Sequence, residues 1–130
     1  MPDLNLPTVL AATVAAFILG SSYYAVLGER LAEVSEAAAA AGQPPPWKLA
    51  VELARCLILA TVVAGLASQG EIDRLSGGLL LGLALWVGFP FVLWSGAIIW
   101  ENEPTKRAAI HAGDWLLKLV VVAVIVSVWR

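Results

Sequence analysis

Apolar residues along this chain fall into four long runs, at 7–27, 49–67, 76–100 and 108–129, and the short stretches between them hold most of the charge. Each run has about the 20 residues that an α-helix needs to cross a hydrocarbon core. The pattern predicts an all-α fold, a four-helix transmembrane bundle that forms one membrane domain over residues 1–130. Including interfacial turns, the helices are expected at about 7–41, 47–67, 76–100 and 108–129.

The first helix is predicted to outrun the membrane. After Leu27, the residues Leu31, Val34, Ala38 and Ala41 continue one apolar stripe while Glu29, Arg30, Glu33 and Glu36 cover the other side, the signature of an amphipathic arm. Gly42 and the prolines at 44 to 46 end it, and Trp47 with Lys48 marks re-entry into the interface. The connections "SQGEIDRL" and "ENEPTKRA" are short enough to force antiparallel neighbours. Pro90, in "GFP", removes a backbone hydrogen bond inside the third segment and predicts a kink there.

Composition agrees with a life in lipid. Of the 130 residues, 60% are hydrophobic and 14% charged, and the mean hydropathy of +0.83 is more than a water-soluble domain of this size can hide. The leader "MPDLNLP" has an acid and no Lys or Arg, and the apolar run behind it is long for a signal peptide, so the first segment reads as a retained helix. A net charge of −2 without a basic tract gives no reason to expect nucleic acid. Cys56 is alone, which excludes an intrachain disulfide, and a single histidine argues against a His-rich metal site. No cofactor is expected.

The loops after the first and third segments carry Arg30, Lys48, Lys106 and Arg107, against Arg74 and Arg130 elsewhere. The positive-inside rule then places both termini away from the cytoplasm.

Helices in lipid approach closely where small residues recur every fourth position. Such ridges are Ala12, Ala16 and Gly20 in the first segment, Ala60 and Ala64 in the second, and Gly78 and Gly82, then Ala84 and Gly88, in the third. Intrachain packing accounts for them, and an oligomer interface or a membrane-protein partner would use the same residues.

The polar exceptions carry the functional question. His111, Asp114 and Lys118 share one face of the fourth helix, and Glu52 and Arg55 form a second stripe on the second helix. With four spans, both stripes lie at the same membrane face, where Tyr23, Tyr24 and Glu101 also arrive. Two readings compete. In the simpler one, Trp47, Trp100 and Trp115 form an aromatic belt, Asp114 and Lys118 pair at the interface, and the lysine stem snorkels outward. In the sharper one, the stripes face each other and form a polar pocket, because ionisable groups inside a membrane usually mark a path or a site.

Gly20 and Tyr24 followed by "VLGERL", then "GLLLGLALWVGF" with Trp100 and Glu101, then "AAIHAGDWLLKLVVVAVIVSVW" resemble the bacterial four-helix membrane family known as domain of unknown function 1761. By that resemblance Gly20, Tyr24, Gly28, Trp86, Gly88, Phe89, Glu101, Gly113 and Trp129 stand at the family's recurring positions. "YAVLGE" and Asp114 depart from its pattern. The resemblance implies the fold and no activity. Small multidrug transporters share the size and helix number but depend on a carboxylate in their first helix, where this chain has none between Pro7 and Leu27.

No His pair, Gly-rich phosphate loop or serine with triad partners supports an enzyme, and no catalytic residue is assigned. The leading expectation is a structural or partner-docking helical module in the lipid bilayer. The alternative is a carrier of protons or a small solute that uses Glu52, Arg55, Glu101, His111, Asp114 and Lys118.

Overall fold

A computed structural model describes residues 4–32 and 45–129. The described residues form helices without strands: α1 (Leu6–Ala32), α2 (Pro46–Gln69), α3 (Leu75–Gly88), α4 (Pro90–Glu101) and α5 (Thr105–Val128). α3 and α4 are the two halves of one bent span, so four helices among the described residues are long and apolar enough to cross a membrane. This is the architecture of a multi-pass membrane protein. α1 continues past Leu27 to Ala32, and the rest of the predicted arm, 33–41, lies outside the described residues.

The helix ends follow from local chemistry. Pro45 is extended and Pro46 opens α2, where a missing N–H costs nothing. α4 closes on Asn102, whose φ of 55° is left-handed, a conformation that asparagine tolerates, and the Glu103 N–H reaches back to the Ala97 carbonyl at 3.1 Å. Between α3 and α4, Phe89 leaves helical geometry (φ −124°, ψ −74°), and the proline nitrogen of residue 90 has no hydrogen for the Trp86 carbonyl. The span bends by about 23° there. The Phe89 and Leu93 amides keep their bonds on either side, at 3.0 and 2.8 Å, which holds the two halves nearly in line.

α5 is the central element. It packs against every other helix, whereas α2 meets α1 and α5, and α3 and α4 lie across α5 from α2. The core is accordingly built on α5, with Leu119, Val122, Ala123 and Val126 set against Val9, Ala12 and Ala16 of α1 and Cys56, Ala60, Val63, Ala64 and Ala67 of α2. Alanines at these positions let three backbones converge. On the other side Gly82 sits directly on α5: a Cβ there would stand 2.7 Å from the Val120 Cα and 3.0 Å from the Leu119 carbonyl oxygen. Gly78, one turn earlier, has the Ala123 carbonyl oxygen at 3.1 Å by the same construction.

The second ridge expected in the third segment does not pack. Ala84 and Gly88 are exposed, and a Cβ on Gly88 would have no neighbour within 4 Å. Two residues beyond Gly82 is 200° around a helix, so a ridge at 84 and 88 points away from whatever 78 and 82 touch. Only one face of α3 reaches α5.

Gly82→Leu should therefore force α3 off α5 and lower stability in mild detergent by about 1–3 kcal/mol. Gly88→Ala should stay within about 0.5 kcal/mol of wild type. Thermal unfolding of the two variants checks the assignment, and equal losses would refute it.

Candidate functional site

Helical periodicity puts Glu52 and Arg55 on one side of α2, His111, Asp114 and Lys118 on one side of α5, and Gly20, Tyr23 and Tyr24 near the end of the α1 span. The bundle turns these faces toward one another. Asp114 and Lys118 pair one turn apart at 3.0 Å, Lys118 reaches across to Glu52 at 3.4 Å, and Glu52 holds Arg55 at 2.7 Å. The result is a chain of alternating charge that begins inside the bundle and ends at its edge: side-chain exposure rises from 5% at Asp114 and 9% at Lys118 to 34% at Glu52 and 62% at Arg55.

Lys118 pairs with Asp114 as the interfacial reading expects, but its stem is not turned outward. Its ammonium does not snorkel out beside an exposed belt; the residue is 7% exposed and lies beneath Gly20. A Cβ on Gly20 would come within 2.7 Å of the lysine Cε and 3.1 Å of its Nζ, so the glycine both brings α1 close and leaves the volume that the lysine fills. Trp47 and Trp100 are exposed as belt residues would be, but Trp115 is half-buried against the core, with the lysine Nζ 5.9 Å from its ring centre.

His111 belongs to a second, aromatic arm of the same site. Its Nδ1 is 2.7 Å from the Tyr24 hydroxyl, and Trp94 of α4 stacks on its ring with centroids 5.0 Å apart and planes 13° from parallel. The α5 backbone is held beside it. Tyr23 donates its hydroxyl to the Ile110 carbonyl at 2.6 Å, and Trp86 donates its indole N–H to the Ala112 carbonyl at 2.8 Å. Gly113 makes room for Tyr23, since a Cβ there would collide with the tyrosine hydroxyl.

Between these arms is a cavity of about 480 Å³ bordered by Gly20, Tyr24, Glu52, Arg55, His111, Asp114 and Lys118, with Trp94 and Lys48 at its margins. Two of the residues that line it each have a fully buried polar atom without a hydrogen-bond partner, the Asp114 Oδ1 and the Trp94 indole nitrogen, and neither atom is open to the cavity. One is an acceptor and the other a donor. An unpaired buried polar atom is costly, commonly about 1–3 kcal/mol.

Of the six predicted cluster residues, Glu52, Arg55, His111, Asp114 and Lys118 border this cavity and Glu101 does not. Glu101 is exposed at the end of α4. It lies on the same helical face as Trp94 but seven residues further on, about 10 Å along the axis. Sequence reasoning had the face right and the depth wrong. It also missed Trp94, and had Trp86 only as a recurring position of the resembled family, because a tryptophan in a membrane helix carries no signal that separates a site wall from lipid contact. Among the described residues, no group of three or more His, Cys, Asp or Glu is placed to hold a metal ion.

No curated protein and no solved structure matches this chain. The residues behind the family resemblance, Trp129 apart, fall within 7–127. That is the stretch matched by the family model described as protein of unknown function, DUF1761, and the chain belongs to that family.

Proposed function

We propose that this protein is a carrier of protons or a small polar solute, and that the cavity between α1, α2 and α5 is its site. The observation that carries the reading is the Asp114 carboxylate: 3% exposed, paired with Lys118 at 3.0 Å, and among the residues that line a 480 Å³ cavity inside a membrane domain. A carboxylate buried among membrane helices is costly to keep, and such groups commonly mark a substrate, ion or proton path. The chain from Asp114 to exposed Arg55 gives a charged guest, or a proton, a graded route to the membrane face. His111 and the Tyr24 hydroxyl, in contact with each other, supply groups that both donate and accept. The bias of Arg30, Lys48, Lys106 and Arg107 over Arg74 and Arg130 orients that face toward the cytoplasm, with the bacterial inner membrane as the setting.

A second reading is favoured by a different observation. Lys118 bridges Asp114 of α5 to Glu52 of α2, so the same network ties two spans together and serves a structural or partner-docking module.

Two measurements separate the readings. In liposomes with an internal pH dye and an imposed gradient, wild-type protein should admit protons, and Asp114→Asn should fall to the rate of empty liposomes. Unchanged flux in Asp114→Asn, Glu52→Gln and His111→Leu would reject the carrier. In detergent, Lys118→Met should lose about 3–5 kcal/mol by leaving a buried carboxylate unpaired, and adding Asp114→Asn should restore most of it. A module without transport would show that stability pattern with no flux in the wild type.

A further inference from the structure

Beside the polar cavity the bundle is open to lipid. α2 and the α3/α4 span flank α5 from opposite sides, and the gap between them is a crevice of about 630 Å³. Val62 and Leu66 form one wall, Phe89 and Leu93 the other, and Trp115 lies at the base. The bend at Pro90 lies on this wall, which Gly88, Phe89 and Pro90 all line. Toward the membrane face the crevice runs into a second hollow of about 410 Å³, which shares Val62 and Trp115 with it and adds Glu52, Arg55 and Lys118. From Arg55 to Leu66 along α2 is about 16 Å at the helical rise, close to half of a hydrocarbon core about 30 Å thick.

The geometry points to a lipid site whose occupant is an anionic phospholipid of the adjoining leaflet, with one acyl chain in the crevice and its phosphate on Arg55. The lining divides as such a molecule does, apolar for one leaflet's depth and charged at the membrane face. The charge has the right sign. Lys48, Arg55 and Lys118 border the connected hollows against Glu52 and Asp114, an excess of one positive charge, and the outermost group is the arginine. Glu52 is shared between Lys118 and Arg55, so the guanidinium is only partly neutralised and keeps donors for a phosphate. This inference goes beyond the carrier reading: a lipid held at Arg55 does not require Asp114 to exchange a proton or a solute.

The test is native mass spectrometry of the full chain from micelles doped with equal amounts of phosphatidylglycerol and phosphatidylcholine. One retained phosphatidylglycerol is expected at about fivefold excess over phosphatidylcholine, the selectivity of roughly one basic residue. Arg55→Gln should equalise the two lipids without preventing retention. Val62→Trp, which fills the crevice from α2, should remove both, and Leu93→Trp does the same from α4. Both positions are exposed, so the pair also guards against a folding defect in either variant. Equal retention of the two lipids by the wild type, lipid surviving both tryptophan variants, or a co-purifying fatty acid in place of a phospholipid would each overturn the proposal. Since no gradient or flux is read, a failure here leaves the carrier reading as it was, and a flux failure leaves this one.

Discussion

An ammonium group buried in a bundle of alanine and valine must find its counter-charges within the protein, and much of this structure is arranged around that demand at Lys118. Asp114 supplies one carboxylate from the preceding turn of α5, and Glu52 supplies another from α2. Neither suffices without space, which comes from α1: at Gly20 any side chain would displace the lysine. Three helices are thus committed to one cation. The arrangement sets the register of α2 on α5, because sliding α2 by a turn would move Glu52 about 5 Å along the axis and out of reach.

Close backbone approach is the second constraint, and it operates on the far side of α5. Gly78 and Gly82 bring α3 onto α5 where Val120 and Ala123 present backbone atoms. Beyond Phe89 the contact changes character. α4 restarts on Pro90 and delivers a side chain, Trp94, against His111. The bend therefore divides one span into a half that fixes backbone to backbone and a half that completes the site. α2 and α4 stay apart, and an apolar crevice between them adjoins the charged cavity.

Much of this was legible in the residues. The small-residue ridges at Ala12, Ala16 and Gly20, at Ala60 and Ala64, and at Gly78 and Gly82 all lie at helix contacts, and the stripes on α2 and α5 do share a cavity. The errors have one origin. Spacing along a helix gives the direction of a side chain but neither its depth nor what faces it. Gly88 matches the four-residue rule and points into open space, Glu101 shares the face of Trp94 and lies two turns beyond it, and Lys118 has a stem long enough to reach water yet is turned inward.

The sequence by itself determined four apolar spans, the break at Pro90 and the stripes of ionisable residues on α2 and α5, though it grouped Glu101 with them. Hydropathy, helical period and the missing proline N–H act within a segment, so they survive without knowledge of its neighbours. Only the tertiary structure decided that α5 lies at the centre, that Lys118 is buried in the bundle and not turned outward, that Trp94 stacks on His111 and that a crevice remains between α2 and the α3/α4 span. Those outcomes depend on which helix faces meet and how close they come, and that is settled by atoms far apart in the chain competing for the same space.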